Sequence, residues 1–187
     1  LISGRFFYPY LKEMNERITE NLVRDQLRKF GYYSEENQIV IEEQKSQIKR
    51  VQTLLKTASK AGTGKGGYPE FIINWEVDPN FLIVIECKAD TKYHESPSLD
   101  KVKDYAVDGV IHYAKALSKE FTVLAIAVSG TTAESMKVSN FLYPCGGNEH
   151  KVLANQDGLS INEIVSFNDY YKLASYDPEV ERKRHHD

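Results

Sequence analysis

The chain has 187 residues, 41% hydrophobic and 27% charged, a balance that supports one packed domain and excludes disorder. Its 24 basic and 27 acidic residues leave a net charge of −3, which excludes a uniformly polycationic nucleic-acid binder but not a local basic patch. Two cysteines are too few for a disulfide scaffold or a four-cysteine zinc site. No apolar run approaches the roughly 20 residues of a membrane helix, and the first residues lack a signal-peptide pattern, so a cytoplasmic protein without a membrane partner is expected.

Residues 1–15, rich in aromatics (Phe6, Phe7, Tyr8, Tyr10), are expected to form an arm or short helix. The spacing of Ile18, Leu22, Val23, Leu27 and Phe30 predicts a helix over 16–30, stopped by Gly31, with Glu20 at the margin of its apolar face. Between Ile39 and Ser59 the pattern again reads as helical, with a stripe of Ile48, Val51, Leu54, Leu55 and Ala58. Lys45, Lys49, Lys56 and Lys60 would then cluster within about 60° on the opposite face. With Arg50 and Lys65 they make a stretch that contains no acidic residue, followed by a glycine-rich loop from Gly62 to Gly67.

Two strands are predicted next, over 70–76 and 80–88, joined by a turn around Asp78-Pro79-Asn80. The unbroken apolar run Phe81-Leu82-Ile83-Val84-Ile85 suggests a central strand covered on both faces. A helix is expected over 99–119, strands over 121–128 and 138–143, and a helix near 161–176. Residues 16–176 are read as a single α/β domain with a mixed sheet, and 177–187 as a charged tail or a linker to further domains.

The chemistry concentrates in Tyr68-Pro69-Glu70 and Glu86-Cys87-Lys88. Residues two apart in a strand share a face, so Glu86 and Lys88 point to one side and Cys87 to the other. Glu70, opening the neighbouring strand, can bring a second carboxylate to the same place. Two such carboxylates suit Mg²⁺, and a neighbouring lysine can orient an attacking water or steady charge on a phosphate. A phosphate-binding loop at Gly62-Thr63-Gly64-Lys65 is rejected, because the earlier glycine and the following Ser/Thr of that motif are missing and a helix pattern precedes it. The five histidines show no zinc-ligand spacing with a cysteine.

Glu20 in an early helix, Pro69-Glu70, and Glu86-x-Lys88 at the end of an apolar strand resemble the PD-(D/E)XK nuclease superfamily. The segments Lys65 to Ile73 and Ala106 to Ala114 are similar to the N-terminal nuclease domains of type I and type IIG restriction enzymes. The resemblance covers about residues 16–143 and implies a restriction-endonuclease-like mixed sheet flanked by helices. It further implies a Mg²⁺-dependent endonuclease of double-stranded DNA, with Mn²⁺ as a substitute. Glu70 and Glu86 would hold the metal, Lys88 would act on the attacking water, and Glu20 would contact a water at the metal. The lysines Lys45, Lys49, Lys56, Lys60 and Lys65 are candidates for contacts to DNA phosphates. Methyltransferase or helicase and target-recognition domains are implied partners, in the same polypeptide or complex. Two departures stand out. Glu70 occupies the place of the usual aspartate, and the Gln-x-x-x-Tyr of many type I relatives is absent, since Lys101 and Gly109 precede Tyr105 and Tyr113 by four. The latter leans the reading towards type IIG. A junction resolvase and a catalytically idle DNA-binding module of the same fold are the alternatives.

Overall fold

The computed structural model describes residues 7–59 and 67–185. The long run of apolar residues predicted to form a central strand does so. β3 (Asp78–Lys88) lies between β2 (Phe71–Trp75) and β4 (Thr122–Ser129), antiparallel to the first and parallel to the second. Its alternate residues feed two separate cores. Phe81, Ile83, Ile85 and Cys87 face one side of the sheet, and Leu82 and Val84 face the other.

Among the described residues the sheet has six strands in the order β1-β2-β3-β4-β5-β6, with β1 at Ile39–Glu43, β5 at Lys137–Tyr143 and β6 at Lys151–Val152. All neighbours other than β3 and β4 are antiparallel. The parallel pair is bridged by α3 (Ala106–Leu117), as parallel strands require a crossover. α3 and α2 (Lys49–Lys56) cover one face of the sheet. The other face is covered by α1 (Phe7–Lys29), α4 (Phe167–Ser175) and α5 (Pro178–Arg184), through Val23, Leu27, Phe167, Tyr170 and Val180. This is a mixed α/β domain of the restriction-endonuclease-like form expected from the sequence. No helix among the described residues is long and apolar enough to cross a membrane.

The turn expected around Asp78-Pro79-Asn80 falls instead at residues 76–77, with Asp78 already in β3, and the helix expected from 161 starts at Phe167; four further elements differ from the sequence expectation. The first helix is continuous from Phe7, so the expected break before residue 16 is absent. The helical pattern from Ile39 divides into β1 and α2. Ile39 and Ile41 alternate inward against one core while Val40 is exposed, a period of two that the helical stripe obscured. The predicted start of α3 at residue 99 moves to 106, because the buried Asp108 carboxylate accepts hydrogen bonds from the backbone of Ser96 and Lys101 and folds that segment back on the helix. Much of the charged stretch after residue 177 is helix α5, capped by the Asp177 carboxylate at Glu179 N–H and anchored by buried Val180.

Candidate active site

The site lies at the end of the sheet where β3 and β4 finish, and three chain segments are tied together there. The buried Thr19 hydroxyl of α1 donates to the Gly130 carbonyl at 2.7 Å, just past β4, and the Gly130 N–H donates to the Lys88 carbonyl at 3.1 Å. Gly130 has φ +109°, and a Cβ there would stand 3.0 Å from Met136 Cα and 3.1 Å from the Ser135 carbonyl. Only glycine fits this closure. Thr19 thereby docks the middle of α1 on the strand ends and carries its neighbours Glu16 and Glu20 to them.

Register brings the strand residues to the same place. Phe71 pairs with Ile85, so one step further Glu70 stands opposite Glu86. Glu86 and Lys88 share a face of β3, and Glu86 pairs with Ala127 of β4, whose small side chain leaves room beside it. Glu86 is buried, Glu70 half-buried, and Lys88 has 13% of its side chain exposed. Lys88 Nζ lies 3.6 Å from Glu16 Oε1. Cys87 takes the opposite face and belongs to the α1-side core. Burial, and then the charges of Glu70, Glu86, Glu20 and Glu16, push its thiol well above its ordinary value, so it stays protonated.

The electrostatics show how closely the carboxylates gather. Glu70 is raised from the ordinary 4.5 to about 7, first by burial and next by the charge of Glu86, with Glu20 and Glu16 adding to it. The opposing influence is the Gln44 side-chain amide, which donates to Glu70 Oε2 at 2.9 Å, while the Gln44 N–H donates to the Glu70 carbonyl at 3.1 Å. Glu20 is 7% exposed and accepts from Arg24 at 3.3 Å. Arg24 also pairs with Glu43 of β1 and lies over the Phe71 ring at 5.5 Å, which locks its guanidinium between two acids. Across the site, Tyr113 of α3 is held above its ordinary value by burial and then by the charges of Glu86 and Glu70. Its hydroxyl packs against Gly67, where a Cβ would approach to 2.6 Å.

The structure therefore brings Glu20, Glu70, Glu86 and Lys88 together. Among the described residues no three carboxylates, histidines or cysteines form a group placed to hold a metal ion. Sequence reasoning missed Glu16 and Gln44. Glu16 was detectable as the residue one helical turn before Glu20. Gln44 gave no signal, because its contacts depend on a left-handed backbone at φ +56° just after β1, within a stretch read as helix.

The basic stretch is not one helix face. Lys45 precedes α2 and follows Gln44 directly, near the site, whereas Lys49 opens α2, whose Arg50 reaches Asn80 and Glu120 at the other end of β3 and β4. Lys49 and Lys56 do share an exposed face of α2, about 20° apart in helical projection. Lys60 and Lys65 lie outside the described residues.

Fold and site together describe a restriction-endonuclease-like α/β domain with an acidic cluster and a lysine at one end of its sheet. Over 175 residues the chain is 28% identical to the type II restriction enzyme and methyltransferase RM.BcgI of Heyndrickxia coagulans, an alignment covering 86% of this chain and 25% of that protein. The chain thus spans about a quarter of the length of this relative. No family model matches the chain, and no solved structure matches it significantly.

Proposed function

We propose that the chain is the DNA-cleaving domain of a restriction system and hydrolyses phosphodiester bonds with the help of Mg²⁺. The observation that supports it most is the convergence of Glu70, Glu86 and Lys88 at one end of the sheet, two carboxylates opposed across β2 and β3 and a lysine on the same strand face. The similarity to a fused restriction enzyme and methyltransferase supports the same reading. It also supports a methyltransferase domain as partner in the same polypeptide or complex, to which the proposal adds target-recognition domains and the type IIG pattern.

The donor set fits Mg²⁺. The ion takes oxygen ligands, keeps several waters, and is commonly held by one or two carboxylates together with substrate phosphate, so two glutamates suffice. Glu70 and Glu86 would hold it, with Gln44 fixing the Glu70 carboxylate. When bound, the ion supplies Lewis-acid charge to the scissile phosphate. The chain's own groups do the rest. Lys88, steadied by Glu16, offers its ammonium to the attacking water and to the charge that develops on the phosphate oxygens. Glu20, oriented by Arg24, would accept a hydrogen bond from that water.

The test separates metal binding from chemistry. By calorimetric titration, Glu86→Ala should weaken Mg²⁺ or Mn²⁺ binding with the fold retained. Lys88→Ala should leave metal affinity nearly intact while lowering DNA cleavage by about 10²- to 10⁴-fold in the polypeptide that carries its recognition domains. Unchanged metal affinity in the first variant, or cleavage at the parental rate in the second, overturns the assignment. Metal and DNA binding without cleavage by the parental enzyme would favour an idle binding module.

A further inference from the structure

The segment between β3 and α3, residues 89–105, is long and largely irregular, yet two buried polar groups fasten it. His94 is held by two serine hydroxyls, with Ser129 Oγ 2.7 Å from Nδ1 and Ser139 Oγ 2.8 Å from Nε2, and its carbonyl accepts from Val107 N–H at 2.8 Å. The Asp108 carboxylate gathers the Ser96 N–H and hydroxyl and the Lys101 N–H. Long loops of this kind carry function more often than packing, and polar anchors on β4, β5 and α3 hold the middle of this one in place as a shelf.

The shelf displays aromatic rings interleaved with lysines. Tyr93 and Tyr105 meet edge to face with centroids 5.4 Å apart, Lys92 Nζ lies 5.1 Å from the Tyr93 centroid, and Lys101 Nζ lies 5.9 Å from that of Tyr105. The first turns of α1 form the opposite wall with Tyr8, which is 71% exposed, and Lys12. Between them runs a groove of about 580 Å³ whose lining includes Lys88 and Glu16, so it opens directly on the candidate active site. Of the three acids in the lining, Glu16 is engaged by Lys88 and Asp90 by Lys92, each at 3.6 Å, and Asp104 is the third, set against the four lysines Lys12, Lys88, Lys92 and Lys101.

Tyrosine rings flanked by lysines suit a nucleobase with its phosphates. In a duplex each base already stacks on its neighbours, so only a base turned out of the stack, or a single strand, can present its face to a protein ring. The groove volume falls within the range of sites that hold one small ligand. We propose that this groove seats an unpaired nucleotide of the DNA strand next to the scissile phosphate, its base against Tyr93 and Tyr105 and its flanking phosphates on Lys12, Lys92 and Lys101. The proposal rests on the reading of the neighbouring site as a DNA-cleaving centre.

Binding of a fluorescein-labelled 12-nucleotide single strand and of a blunt 12-base-pair hairpin is measured by anisotropy in EDTA, where no metal-dependent cleavage occurs. The parental chain should bind the single strand. Tyr93→Ala and Tyr105→Ala should each weaken that binding by about 5- to 100-fold, the range for loss of one base–aromatic stack, and change hairpin binding little. Tyr93→Phe should restore it, because the ring and not the hydroxyl is the platform. Photocrosslinking of an iododeoxyuridine-substituted strand should label Tyr8, Tyr93 or Tyr105, which tests the groove even if an alanine variant is unstable. Unaltered single-strand affinity in both folded alanine variants, equal losses for strand and hairpin, or crosslinks confined to α2 would each overturn the proposal. Because no measurement here depends on metal or turnover, a failure of Lys88→Ala to slow cleavage would count against the nuclease reading and leave this result separately readable.

Discussion

Glu70 shows most clearly how the site departs from what stability alone would select. Its carboxyl is raised to about 7 because burial and the Glu86 charge both oppose ionisation. Between its ordinary 4.5 and about 7 the folded chain holds a proton that the unfolded chain has released. The stabilisation this gives is therefore complete below 4.5 and is lost as pH rises through 7. Glu70→Gln cannot ionise and keeps an amide oxygen for Gln44 to donate to. In the absence of metal, the variant should gain stability over the parent as pH rises across this window, by on the order of 1–2 kcal/mol at pH 8. Denaturant unfolding at pH 4.5 and pH 8 measures the difference, and an advantage that does not grow with pH would mean that Glu70 is not held by its neighbours.

At the scale of elements, structure set by local periodicity was legible in the sequence, and structure set by long-range polar contacts was hidden. β3 was legible because five consecutive apolar residues have to be covered on both faces, and the cores on either side of it are a consequence of that. The placement of Glu86 and Lys88 on one face of β3 was legible from strand alternation, and that of Glu70 opposite them from its position at the start of the neighbouring strand. The division of residues 39–56 into β1 and α2 was not, since Glu42 accepts from the Ser46 hydroxyl and Gln47 N–H in a turn that no periodicity marks. The segment before α3 was hidden for the same reason, its shape being set by His94 and Asp108. Burial, and then the charge of Lys137, lower His94 from 6.5 to about 4. Below 6.5 the unfolded chain binds a proton that the folded chain refuses until about 4, so this residue makes the fold lose stability as pH falls from 6.5 to about 4. His94→Gln, which takes up no proton there, should show a shallower loss over that interval in thermal unfolding. Parallel pH profiles for the two proteins would remove His94 from the account.

For the whole molecule, the sheet sets the distance between the candidate chemistry and Lys49 at the start of α2. Arg50, next to Lys49, reaches Asn80, and Glu86 lies six residues further along β3, or roughly 20 Å at the rise of an extended strand. At about 3.4 Å per base pair this separation corresponds to some six base pairs of duplex. On the proposed nuclease reading, Lys49 can then neutralise a phosphate only on a duplex that continues along the domain past the site, whereas the other end of α2 turns back towards α3, the Ala58 carbonyl lying 2.9 Å from His112 Nε2. Lys45, beside Gln44, would act at the site itself. The expected signature is a dependence on length. Each neutralised phosphate contributes about −0.9 to the slope of log affinity against log salt, so Lys49→Ala should flatten the slope by roughly 1 unit on a duplex of about 25 base pairs. On a hairpin of about six base pairs seated at the site the slope should not change, whereas Lys45→Ala should flatten it on both. Fluorescence anisotropy across a salt series in EDTA gives all the slopes. If Lys49→Ala behaves like the parent on the long duplex, the start of α2 is only a solvated face and takes no part in the proposed DNA contact.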